Sequence, residues 1–200
     1  MFDVVILSFA RMLSLLLHPG ILFLAVPYMV ISHTNDNMQE TIDWTFFSWI
    51  FIFTLVLIVW YQVRKGNFTN FDVSKREQRP KLFLYLGVLS FIYIVALFFL
   101  HGPLSMIIVT VGCLVGLLAL DVINNTIKAS IHVASVSGIL LSFVLLNGIQ
   151  FGFILLLVPF VAWSRIRLHR HTIAETVTGA FFGFFLTLTM YGIIEYVLRI

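Results

Sequence analysis

Charge is scarce in this sequence: twelve Lys and Arg and nine Asp and Glu in 200 residues, only 10% of the chain. A soluble domain spends about a quarter of its positions on charge, so this composition, with 60% hydrophobic residues, excludes an ordinary soluble fold. Cysteine is almost lacking. Cys113 stands alone inside an apolar run, which rules out a disulfide framework within the chain and leaves the redox compartment unread. A basic leader and a small-residue cleavage site are also missing around the first apolar run, which Asp3 and Arg11 bracket; we expect no removable signal peptide. The net charge of +3 comes from arginines and lysines clustered in loops. In a membrane chain that pattern bears on orientation, and no nucleic-acid partner is expected.

What is present is a series of long apolar runs. The expected fold class is all-α, a polytopic transmembrane helix bundle of about six to seven spans, forming one domain over residues 1–200. Residues 2–17 read as an amphipathic helix at the interface, broken by His18-Pro19-Gly20. Apolar sequence resumes from Ile21 to Ile31 past Pro27, so residues 1–32 are expected to hold an interfacial helix and a first, kinked span. Clean spans follow at 44–63, 81–100, 104–120, 130–146, 151–163 and 171–197. Trp44, Trp60 and Tyr61 anchor the ends of one span, and Gly112 with Gly116 offers a small-xxx-small contact to a neighbour. Polar loops lie at 64–81, 121–129 and 164–171. Two spans separate each from the next, so all three are expected on one side of the membrane.

The third loop holds the densest chemistry. From Ser164 to Glu175 it carries Arg165, Arg167, Arg170, His169 and His171 between two apolar runs. Ionisable groups at a membrane edge are costly and are functional candidates for that reason. His171 and Glu175 stand four apart at the start of a helical run, hence on one face. The carboxylate can hold one imidazole nitrogen and leave the other to attack or to take a proton. Arg165 supplies a planar fork of donors suited to phosphate oxygens. In the middle loop Ser130 is placed to cap the next helix, where free backbone N–H groups make an anion site, and His132 is a candidate general acid. In the first loop, Arg79-Pro80 sits directly before a span. Each element also has a plainer role: a basic flank that fixes topology, a helix cap, a packing histidine, a structural hydrogen bond, or half of a zinc site, which i,i+4 ligands also suit.

Taken in order, these residues resemble the three motifs of the type-2 phosphatidic acid phosphatases, the lipid phosphate phosphatase and vanadium haloperoxidase-like superfamily. Those motifs are K-x6-R-P, P-S-G-H and S-R-x5-H-x3-D. Here the third is Ser164-Arg165, five residues, His171, three residues and Glu175; the second is Ala129-Ser130-Ile131-His132; the first ends in Arg79-Pro80. The resemblance covers residues 72 to about 183, a motif-bearing core. Asp72 stands in place of the lysine, Ala129 and Ile131 in place of proline and glycine, and Glu175 in place of aspartate, while Lys128 adds a cation. The resemblance implies a metal-independent hydrolase, needing no cofactor, that acts on a lipid phosphomonoester or polyprenyl (di)phosphate entering from the bilayer. It implies His171 as nucleophile, Glu175 as its orienter, His132 as acid and base, and Arg79, Lys128, Ser130 and Arg165 around the phosphoryl oxygens.

Two other classes compete. A membrane prenyltransferase would bind diphosphate through Mg²⁺ and paired aspartates. Asp121-Val122-Ile123-Asn124-Asn125 is a faint echo of that pattern, with no second aspartate at ligand spacing. The third class is a non-enzymatic relative that keeps the fold. The positive-inside rule places the three loops in the cytoplasm of a multi-pass protein, expected in the cell membrane. By this topology eleven of the twelve Lys and Arg lie on the loop side and only Arg199 lies opposite, with Asp36, Glu40 and Asp43.

Overall fold

A computed structural model describes residues 2–71, 73, 75–124 and 126–199. Asp72, at the position of the family lysine, lies outside the described residues, as does Asn125 of the 121–125 echo. Among the described residues there is no strand. Nine α-helices are found there: α1 (Phe2–Leu16), α2 (Pro19–Leu22), α3 (Val26–Thr34), α4 (Met38–Arg64), α5 (Arg79–Phe99), α6 (Leu104–Ile123), α7 (Ile131–Asn147), α8 (Leu157–Arg167) and α9 (Ile173–Leu198). A 3-10 run, Ile149–Leu156, feeds directly into α8.

Six stretches among the described residues are long and apolar enough to cross a membrane: Val4–Leu22, Met38–Arg64, Arg79–Phe99, Leu104–Ile123, Ile149–Arg167 and Ile173–Leu198. Their outer faces carry large apolar side chains, including Phe91, Phe99, Leu118, Phe181 and Phe185. Outward apolar surface of that extent is stable only in lipid, so this is a multi-pass helical membrane protein. α7 has 17 residues, about 26 Å at 1.5 Å per residue, a little short of the ~30 Å hydrocarbon core. It is apolar all round and buried at nine positions, among them His132, Val136 and Leu140, as expected of a helix enclosed by others.

The chain folds as two compact units. One holds residues 1–23 and 119–192, the other 24–118 and 193–200. The boundary after Phe23 falls inside residues 1–32, read as an interfacial helix and a first, kinked span: α1 and α2 belong to the first unit, α3 to the second. It also divides the motif-bearing core of residues 72–183. The second and third motifs lie in the first unit, and Arg79 lies in the second.

In the first unit α1 packs along α8. It buries Ala10 and Ser14 and exposes Val4, Val5, Phe9, Met12, Leu15 and Leu16, so its small and polar side faces protein. Val133, Val136 and Leu140 of α7 form a core with Val158 and Val161 of α8. α7 and α9 approach closely at glycines. A Cβ on Gly183 would stand 2.1 Å from the Ala134 carbonyl oxygen, and one on Gly179 2.6 Å from that of Ser130. Ser137 Oγ donates to the Ala180 carbonyl at 3.2 Å and Thr187 Oγ1 to that of Gly138 at 3.1 Å. Small residues let helix backbones meet in this way in membranes.

In the second unit α4 begins at Met38 rather than near Trp44, because Asn37 caps it by accepting from the N–H groups of Gln39 and Glu40. Glu40 sits in the first turn, where a carboxylate meets the positive end of the helix dipole. The helix ends on Gly66 at φ 75°, a left-handed position that glycine adopts without strain. After α4, Phe68 and Val73 are buried against Val59 of α4, with Leu82 and Tyr85 of α5 beside them. Arg79 is the first residue of α5, followed by Pro80, and is 3% exposed. Gly112 and Gly116 of α6 are both buried.

Candidate functional site

The S-R-x5-H-x3-E spacing is a helix end, a short turn and a helix start. At the end of α8 the N–H of His169 bonds the Ile166 carbonyl at 3.0 Å and that of Arg170 bonds the Arg165 carbonyl at 3.0 Å. This paired closure is the Schellman arrangement, with His169 as the left-handed residue at φ 53°. Glycine holds that place at the end of α4. A histidine there carries a strain of about 1–2 kcal/mol, and its side chain lines the pocket described below.

The start of α9 is a capping box. Thr172 Oγ1 accepts from the Glu175 N–H at 3.3 Å, and Glu175 Oε2 accepts from the Thr172 N–H at 3.2 Å. The same Oε2 lies 2.8 Å from His171 Nδ1. A carboxylate can only accept, so the imidazole proton sits on Nδ1 and Nε2 keeps its lone pair. Glu175 thus fixes both the first turn of α9 and the tautomer of His171. The His171 side chain is only 6% exposed. Its pKa is lowered from the usual 6.5, chiefly because burial disfavours the cation, with the charges of Arg165 and Lys128 acting the same way against the raising effect of Glu175.

The second motif is tied to the third through the backbone. The Ser130 N–H donates to the Glu175 carbonyl at 3.0 Å, and Gly179 leaves room for this contact. Ser130 is the N-cap of α7, its Oγ accepting from the Val133 N–H at 3.3 Å. An open pocket of about 690 Å³ is lined by Lys128, His169, Arg170, His171, Thr172 and Glu175, among others. Ser130, His132 and Arg165 are buried and are not part of its wall. Of the seven residues expected at the site, Lys128, Ser130, His132, Arg165, His171 and Glu175 belong to the first unit. Arg79 belongs to the second.

Two contacts of these residues are not legible in the sequence. Ser14 Oγ of α1 accepts from Arg165 Nη1 at 2.9 Å. The rings of His18 and His132 meet edge to face, with centroids 5.5 Å apart. His18 was read only as part of a helix break. Nothing local marks either residue, since the contacts lie between segments far apart in the chain. The capping box, in contrast, was legible as Thr-x-x-Glu before an apolar run. Among the described residues no group of three or more His, Cys, Asp or Glu side chains could hold a metal ion. Comparison with protein-family models, with curated proteins and with solved structures finds no match to this chain.

Proposed function

We propose that this protein is a membrane-embedded, metal-independent lipid phosphatase that works through a phosphohistidine. The observation that carries the reading is the His171–Glu175 pair: a neutral imidazole, one nitrogen held by a carboxylate, at the wall of a pocket that also presents Lys128. Burial and the nearby cations favour the uncharged ring at neutral pH, the form that can attack. His171 Nε2 would displace the lipid alkoxide from phosphorus, forming an N–P bond as the P–O ester bond breaks. His132 would give its proton to the leaving oxygen. In the second step His132 would take a proton from water as the oxygen attacks phosphorus, the N–P bond breaks, and inorganic phosphate leaves. Glu175 would stabilise the charged ring of the intermediate, and Lys128, Ser130 and Arg165 would meet charge on the phosphoryl oxygens. The substrate class is a lipid phosphomonoester or polyprenyl (di)phosphate reached from the bilayer. The positive-inside rule puts the site on the cytoplasmic side of the cell membrane.

A second reading has one observation in its favour. The capping box alone accounts for Glu175 as the residue that starts α9, so a non-catalytic relative would keep it. Phosphate release from a panel of lipid phosphates by the purified protein in detergent, with and without excess EDTA, separates the readings. Release that survives chelation is expected. Release abolished by EDTA would point to a metal-dependent diphosphate enzyme, and no release from any lipid would favour the non-catalytic relative.

A further inference from the structure

We propose that Ser14, in the last turn of α1, and His18, just beyond it, are positioning residues of this site, Ser14 holding Arg165 and His18 holding His132. This role rests on the phosphatase reading above. The two residues are four apart, and the backbone bonds Leu17 N–H to Leu13 and His18 N–H to Leu15 continue the helical course past the end of α1. One short segment therefore touches both inner members of the second and third motifs. Ser14 is 8% and Arg165 3% exposed, so the 2.9 Å bond between them is shielded from water. A buried guanidinium has many rotamers, and a fixed acceptor at one amino group selects among them. His132 is 6% exposed, and the crossed ring of His18 limits its rotation. His18 is itself fixed, because its Nδ1 accepts from the Gly20 N–H at 3.1 Å as the cap of α2, and α2 packs on α7.

A small residue facing α8 need not carry a hydroxyl, as buried Ala10 shows, and a cap position takes Asn, Asp or Ser more readily than histidine. Both residues are thus poorly explained by helix formation alone, and both are accounted for by what they touch. α1 then belongs to the site even though the three motifs begin far beyond it in the chain.

The test uses the full-length protein in detergent, with phosphatidate as substrate and orthovanadate as the transition-state mimic. Ser14→Ala removes the acceptor and Ser14→Thr keeps it. His18→Asn keeps a good cap for α2 while removing the ring from His132. A misplaced group in the transition state costs on the order of 10- to 10²-fold. For Ser14→Ala and His18→Asn we expect kcat to fall by that factor with KM unchanged. The vanadate inhibition constant should rise in step, a change that mere loss of folded protein would not produce. Ser14→Thr should restore both values. Variants that melt like the wild type and keep its kcat and vanadate affinity would overturn the positioning role while leaving the phosphatase reading intact. If Ser14→Ala does not fold, His18→Asn decides by the same two readouts. A wild type that neither releases phosphate nor is stabilised by orthovanadate would overturn the phosphatase reading and this role with it.

Discussion

At the scale of single residues, His171 is held by opposing influences. The Glu175 carboxylate raises its pKa, while burial and the charges of Arg165 and Lys128 lower it, and the lowering prevails. If neutral His171 is the nucleophile, the acid limb of a kcat/KM profile should have its midpoint below the ordinary value of 6.5. The sign can be tested by substitution. Glu175→Gln removes a raising influence and should move the midpoint to lower pH, whereas Lys128→Met removes a lowering one and should move it up. A limb unmoved by both would detach the activity from His171, and His171→Ala should abolish turnover in a protein that still folds. The same depressed pKa makes a stability claim. The contribution of the neutral ring is complete above about pH 6.5 and is lost as pH falls through the folded-state value. Lys128→Met should also slow turnover. A lost contact to the developing phosphoryl charge costs about 2–4 kcal/mol of barrier, roughly 10²-fold or more in kcat. An unchanged rate would leave Lys128 as a topology residue.

At the scale of elements, two glycines of α9 should respond in opposite ways to the same change. A Cβ on Gly179 meets the backbone of Ser130 at 2.6 Å, while one on Gly192 meets nothing within 4 Å. Gly179→Ala should push the start of α7 away from α9 and destabilise by about 1–3 kcal/mol. It should also lower phosphate release, because the Ser130–Glu175 backbone bond joins two motifs. Gly192→Ala should leave stability unchanged or raise it, by up to about 1 kcal/mol, since alanine is the better helix former. Thermal unfolding of both variants in one detergent reads the difference, and equal melting temperatures would contradict the close α7–α9 approach. The sequence suggested its small-residue contact at Gly112 and Gly116. Those residues are buried, and between α7 and α9 the close approaches are at Gly179 and Gly183. Spacing marks glycines that could allow contact; only the rotation of each helix about its axis decides which ones do.

At the scale of the whole molecule, we propose that the site loops face the cytoplasm. The first unit makes the asymmetry plain. Lys128, Arg167 and Arg170 lie at the Ser130 end of α7, while the turn after Asn147 carries no charged residue through Gln150. Single cysteines at Arg170 and at Asn147, each in a Cys113→Ala background, probe the two ends with an impermeant maleimide on intact cells. Labelling at 147 with protection at 170 is the expected result, and the reverse pattern would show that the charge rule fails for this chain.

Membrane class, the helical spans beyond the N-terminal stretch and the loop positions were determined by the sequence itself, because apolar length is a property of the chain read in one dimension. So was the His171–Glu175 pair, since four residues make one helical turn whatever packs around it. The tertiary structure alone decided that the N-terminal stretch is shared between two units, with Ser14 against Arg165, His18 against His132, and the Ser130 N–H on the Glu175 carbonyl. The physical reason lies in the bilayer. In water an apolar stripe shows which side of a helix turns inward. In lipid both sides are apolar, and the inward face is chosen by small residues and polar contacts between helices. Which segments those contacts join carries no local signature, so α1 could be read as an amphipathic helix from its sequence while the partner of its buried serine could not.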